Sequence, residues 1–115
     1  MIGGEEMTVA VIGSRDRCID CFEDYLPDGV DTIISGGARG IDSCAASYAR
    51  ANGLRLIEFL PDYDAFGRSA PLKRNIQIVD AADFVLAFWD GTSRGTKYVI
   101  DYCKRINKPF RIEYI

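Results

Sequence analysis

Apolar residues fall along this chain in two alternating kinds of run. Thr8-Val9-Ala10-Val11-Ile12 is short, almost wholly apolar and stops at Gly13, the pattern of a strand buried on both faces. Ile19, Phe22 and Leu26 then recur at helical spacing within Cys18 to Leu26, and Pro27-Asp28-Gly29 follows, which predicts a helix ending there. Asp31 to Ile34 is the second apolar run. From Ile41 to Asn52, the residues Ile41, Cys44, Ala45, Tyr48 and Ala49 form one face of an amphipathic helix, with Gly53 as its terminating residue. Leu54 to Leu60 reads as the third strand, and Pro61 to Arg68 as a polar-aromatic loop. Ser69 is placed to cap a helix that tolerates Pro71 in its first turn and carries Leu72, Ile76 and Val79 as a stripe. Phe84 to Phe88 is the fourth strand. Arg94 to Ile106 is a helix with Val99, Tyr102, Cys103 and Ile106 facing inward, and Pro109 to Tyr114 is the fifth strand.

Five short apolar strands alternating with four helices predict an α/β fold, a Rossmann-like three-layer sandwich whose five-stranded parallel sheet is flanked by helices. Crossovers are right-handed, and ligands of such open sheets bind at the carboxyl ends of the strands where strand order reverses. The expected organisation is a short polar leader over 1–7, disordered, followed by a single domain over 8–115, in keeping with a length of 115 residues.

Three strand-to-helix loops fall on that carboxyl edge: Gly13-Ser14-Arg15-Asp16, Ser35-Gly36-Gly37-Ala38-Arg39-Gly40, and Asp90-Gly91-Thr92-Ser93-Arg94-Gly95-Thr96. In a Rossmann-like order the first strand lies between the second and the fourth, so the three loops converge on one crevice. Glycine lets backbone N–H groups come close to a ligand, and a helix start presents unpaired donors and the positive dipole end. Together they suit a phosphate, to which Arg39 adds a charge-assisted fork. The hydroxyl and guanidinium donors of Ser14, Arg15, Thr92, Ser93, Arg94 and Thr96 extend the same recipe. Asp42 reads first as electrostatic support for its helix start. Asp90, at a strand end, reads either as a ribose acceptor or as a turn residue. Lys73-Arg74-Asn75 points in three directions on a helix, and Arg74 or Asn75 is near enough to its start to lean into the crevice. Trp89 either stacks on a base or packs in the core.

Composition narrows the classes. The chain is 48% hydrophobic and 27% charged, as in ordinary globular proteins. No apolar run approaches a membrane span, and Met1-Ile2-Gly3-Gly4-Glu5-Glu6-Met7 is no signal peptide, so a cytoplasmic location and no membrane partner are expected. The formal net charge of -3 argues against nucleic acid as a partner. Histidine is absent, which excludes Ser-His-Asp and Cys-His catalysis. Cys18-x-x-Cys21 is half a zinc pattern without its second half, and Cys44 and Cys103 fall on helical stripes; four unbridged, metal-free thiols are expected.

The strings Gly13-Ser14-Arg15, Ser35-Gly36-Gly37-Ala38-Arg39-Gly40-Ile41-Asp42, Arg74-Asn75 and Gly91-Thr92-Ser93-Arg94-Gly95-Thr96 together resemble the SLOG superfamily. They are most similar to its small YspA- and YpsA-related branch, over roughly Thr8 to Ile112. The resemblance implies a Rossmann-like domain for nucleotides or nucleotide-derived ligands. The single-strand DNA-binding DprA proteins share a similar second loop and Arg-Asn step. The LOG phosphoribohydrolases share the fold and a Gly-Thr loop, which in them runs Pro-Gly-Gly-x-Gly-Thr-x-x-Glu with a catalytic glutamate. Here Gly95-Thr96 is followed by Lys97, Tyr98 and Val99, and no carboxylate comes before Asp101.

Three functions follow as expectations. The leading one is a binding module that senses or sequesters a nucleotide or nucleotide-derived phosphate ligand in the crevice. The second is an N-glycosidic hydrolase of nucleoside monophosphates using Asp16, Asp42, Asp90 or Asp101. The third is a single-stranded nucleic-acid binder using Arg39, Arg74 and Arg94. No cofactor other than such a nucleotide ligand is expected. A homodimer or higher homo-oligomer is expected, because an open crevice and the aromatic loop Tyr63-Asp64-Ala65-Phe66 gain cover from a second copy.

Overall fold

The central strand of the molecule is β1, Met7–Gly13. In the computed structural model, which describes residues 7–115, it lies between β2, Val30–Ser35, and β4, Phe84–Trp89, and pairs with both in parallel. The edges are β3, Arg55–Glu58, and β5, Phe110–Tyr114. The sheet order is β3-β2-β1-β4-β5, so strand order reverses at β1, as the sequence predicts. The expected leader lies outside the described residues except for Met7, which opens β1.

Alternation along β1 distributes two cores. Val9 and Val11 pack on one face with Ile33, Leu86 and Phe88, under Ile41, Ala45 and Ala49 of α1, Ile41–Ala51. Ala10 and Ile12 pack on the other with Ile34 and Val85, under Ile78 and Val79 of α3, Ala70–Ala81, and Val99 and Cys103 of α4, Arg94–Ile106. Burial on both faces is what made the centres of these strands continuous apolar runs. The result is a five-stranded parallel sheet flanked by three helices, an α/β Rossmann-like arrangement. No helix among the described residues is long and apolar enough to cross a membrane.

Three expectations are corrected. Cys18 to Leu26 is not a helix; only a 3-10 turn forms, at Phe22–Asp24. Cys21 takes a left-handed backbone, φ 60, and Asp20, Glu23 and Asp24 would place like charges three and four apart on a helix, which disfavours it. Phe22 is the fully buried residue of the segment, edge-on to Phe88 with ring centroids 5.6 Å apart, and Ile19, Tyr25 and Leu26 pack around it.

The second correction concerns the thiols. Because the segment after β1 runs over α1 as irregular chain, Cys18 meets Cys44 and the two form a disulfide, with Cα atoms 5.7 Å apart, a separation suited to such a bond. Cys21 is free and exposed, and Cys103 is free and buried. Third, β3 is shorter than Leu54 to Leu60. Its pairing ends at Glu58 opposite Ser35, where β2 ends. The loop beyond it then closes one helical turn, α2, Tyr63–Phe66, because the Asp62 carboxylate accepts the Ala65 N–H at 3.1 Å.

Candidate functional site

The carboxyl ends of β1, β2 and β4 meet around a cavity of about 370 Å³. Its floor is Val11, Ile12 and Gly13 of β1, and α3 closes one side with Arg74, Asn75 and Ile78. The remaining wall comes from the loops after β1, β2 and β4. The convergence expected of the three loops is therefore present in space.

Backbone proximity explains the glycines of the second loop. Gly40 has φ 75, and a Cβ there would lie 2.5 Å from the Arg15 carbonyl carbon and 2.6 Å from its oxygen. The β1 loop thus lies directly on the start of α1, and the Ile41 N–H donates to the Ser14 carbonyl at 3.0 Å. Gly36 meets side chains instead: its Cβ would stand 2.8 Å from Cζ of Arg74 and 2.9 Å from Oδ2 of Asp42. Those two charged groups, 7% and 8% exposed, occupy the space a side chain at position 36 would need.

Asp42 and Arg74 hold the loop from opposite sides. The Asp42 carboxylate accepts the Ala38 N–H at 3.2 Å. The Arg74 guanidinium donates to the Gly36 carbonyl and, at 3.4 Å, to that of Phe59, while its Nε donates to Asn75 Oδ1 at 2.9 Å. Ser35, wholly buried, accepts the Gly37 N–H at 3.1 Å and donates to the Asp42 carbonyl at 3.4 Å. Burial raises the Asp42 pKa above the usual carboxyl range, against the lowering effect of the Ala38 N–H and the Arg74 charge. Burial likewise lowers that of Arg74, with the nearby Arg15 adding to the effect and Asp42 opposing it. One carboxylate therefore sits within the field of two guanidiniums.

On the opposite wall, α4 begins at Arg94 with no side-chain cap on its first turn, as α1 does at Ile41. Uncapped helix starts leave N–H donors unpaired and carry the positive dipole end. Gly95 and Thr96 of that first turn line the cavity. The buried Thr96 hydroxyl accepts from Ser93 Oγ at 3.4 Å. Asp90 turns one oxygen inward on its own loop, accepting from the Thr92 and Ser93 N–H groups at 2.8 Å each. Those bonds hold its pKa below the usual carboxyl value. The turn role expected of Asp90 is thus present.

Of the residues singled out in the sequence, the cavity wall contains Gly13, Ser14, Arg15, Asp16, Gly36, Ala38, Asp42, Arg74, Asn75, Asp90, Ser93, Gly95 and Thr96. Ser35, Gly37, Arg39, Gly40, Gly91, Thr92 and Arg94 stand behind or beside it. Arg39 and Arg94 are exposed. Asp42 does more than support its helix, since it organises the loop before it. Ile78 was missed as a wall residue, although it follows Arg74 by four positions and so shares its helical face. Among the hydrolase candidates Asp16, Asp42 and Asp90 line the wall, whereas Asp101 is outside it and pairs with Lys97 at 2.7 Å; Val99, at the position of the LOG-type glutamate, is buried in the core. Among the described residues no group of three or more His, Cys, Asp or Glu side chains could hold a metal ion.

Residues 7–66 match the model of the YspA, cpYpsA-related SLOG family. The chain belongs to that family. A comparison with curated proteins finds no match. Among solved structures, this SLOG domain is similar to DNA processing protein A from Helicobacter pylori, in a study of that protein's single-stranded DNA binding mode. The TM-score is 0.68 at 19% identity, over 92% of this chain and 64% of that one. The SLOG domain thus spans about two thirds of the length of that relative. This likeness overturns the argument from net charge against a nucleic-acid partner. The same fold occurs in a protein that binds single-stranded DNA, and a chain's net charge does not report where its charges lie.

Proposed function

We propose that this SLOG domain binds a nucleotide unit of single-stranded nucleic acid, with the phosphate held in the carboxyl-edge cavity. The observation that carries the reading is the mixed lining. The uncapped start of α4 and Arg15 supply donors for a phosphate, whereas Asp16 and Asp90 on the same wall supply acceptors. A bare anion uses only the donors. A nucleotide unit, with its sugar and base N–H or O–H groups, uses both. The structural likeness to a DNA processing protein supports the polymer as the carrier. Binding without turnover is the form this takes, because Val99, third after Thr96, is a core residue where the LOG-type loop has its glutamate.

A free mononucleotide is the second reading, favoured by the volume of about 370 Å³, which is within the range of small-molecule sites. One experiment separates the two. Binding of a labelled oligothymidylate is followed by fluorescence anisotropy at rising salt, beside thermal shift with thymidine monophosphate. Oligonucleotide binding that weakens steeply with salt and is lost in Arg15→Ala supports the strand. Mononucleotide binding without oligonucleotide binding supports the free ligand. Absence of both removes the proposal.

A further inference from the structure

Aromatic side chains flank the cavity on both sides along the same sheet edge. On the β5 side, Trp89 and Tyr114 are register partners at the carboxyl ends of β4 and β5. Their ring centroids are 5.9 Å apart with planes inclined by 37°. The Trp89 indole N–H donates to the Ser93 carbonyl at 3.0 Å, and Ser93 is itself part of the cavity wall. The pair is thereby fastened to the third loop, yet Tyr114 is 70% exposed. Beyond the carboxyl end of β3, Tyr63 is 58% exposed in α2, which packs on α3, the helix that brings Arg74 to the cavity wall. A rigid aromatic left in water beside a donor-lined cavity is what a stacking base requires.

The sheet edge that a strand would cross is also of suitable length. From β3 to β5 there are four strand spacings, about 19 Å at about 4.8 Å each. About six stacked nucleotides cover that span at about 3.4 Å each. Arg15, Arg39 and Arg94 are exposed on the loops between the two ends, which places cations along the path of a phosphodiester backbone.

We propose that the carboxyl edge is a track for single-stranded nucleic acid, crossing the strands from Tyr63 to the Trp89–Tyr114 pair, with a phosphate in the cavity between the two stacking platforms. This rests on the nucleotide reading of the cavity and extends it to bases the cavity does not enclose. Affinity then grows with strand length because each platform adds one stacked base. The strand is read by stacking rather than by base-edge hydrogen bonds, so sequence preference is weak.

Trp89 is the one tryptophan of the chain, so its fluorescence reports the β5 platform directly. The full chain is titrated with thymidine monophosphate and with a 5′-phosphorylated thymidylate hexamer, reading Trp89 emission and thermal shift. The expected result is hexamer binding about tenfold or more tighter than the mononucleotide, with Trp89 quenched by the hexamer alone. Tyr114→Ala then removes most of that gain and leaves mononucleotide binding unchanged, whereas Tyr114→Phe, which keeps the ring, restores it. Tyr63→Ala reduces the gain without abolishing the quench. A hexamer that binds no tighter than the mononucleotide overturns the track and leaves the cavity reading standing. So does a length gain untouched by both alanine variants. A hexamer affinity indifferent to Arg15→Ala, or no binding of either probe, overturns the cavity reading and the track with it.

Discussion

Replacing Gly40 by alanine tests the contact between the first two loops. The added Cβ would approach the Ser14 carbonyl oxygen, and would lie 2.5 Å from the Arg15 carbonyl carbon. These are backbone atoms, so no side-chain rotation relieves the overlap. Alanine at φ 75 adds strain of about 1–3 kcal/mol. Moving the β1 loop away sacrifices the 3.0 Å bond from Ile41 N–H to Ser14, about 1 kcal/mol more. A total of about 3 kcal/mol lowers the melting temperature of a domain this size by about 10–15 °C. Gly95→Ala is the internal control. Its Cβ meets nothing within 4 Å, and it lies in the first turn of α4, where alanine is better than glycine by up to about 1 kcal/mol. Thermal denaturation followed by circular dichroism should therefore move in opposite directions for the two variants. A Gly40→Ala protein melting within about 2 °C of the parent would refute the close packing of the two loops, since even the backbone strain alone predicts more.

Three further outcomes follow from the same geometry. Arg74→Met should lower stability by about 3 kcal/mol in denaturant titration, because the Gly36 and Phe59 carbonyls lose their donor. Arg74→Lys should recover only part of that loss, since an ammonium lacks the planar fork. The buried Asp42 has a raised pKa, so at pH values between its unfolded and folded pKa the folded chain holds a proton there that the unfolded chain has released. Its contribution is full below the ordinary carboxyl value, about 4, and is lost as pH rises through the folded value. Asp42→Asn should flatten that decline in denaturant midpoints measured over a pH series; parallel profiles for both proteins would contradict the assignment. Finally, without reductant a thiol reagent should label Cys21 alone in the folded protein and two thiols after denaturation. Cys103 is protected because it is wholly buried and burial pushes its thiol up to about 11; four thiols after denaturation would exclude the Cys18–Cys44 bond.

The sequence by itself determined the elements whose burial is regular along their length. β1, β2 and β4 are enclosed on both faces at their centres, so Val9 to Ile12, Ile33-Ile34 and Val85 to Phe88 had to be apolar and the runs were plain to read. α1 and α4 bury one stripe each, so the helical period stood out. Strand order and the meeting of the three loops followed, because right-handed crossovers leave few topologies for alternating strands and helices. Only the tertiary structure decided what depends on separate parts of the chain coming together. Cys18 to Leu26 had the spacing of a helix, but Phe22 needed only one turn to reach Phe88, and the acidic residues around it favoured irregular chain. That irregular path is also what brings Cys18 to Cys44, a meeting no spacing encodes. Arg74 and Asp42 lie 32 positions apart, and neither residue's neighbours announce that both converge on Gly36. The position of Trp89 against Tyr114 is decided in the same way, by the register of β4 on β5. Local periodicity carries information about neighbours three, four or two residues away, whereas the loop that holds the site is shaped by side chains arriving from other elements.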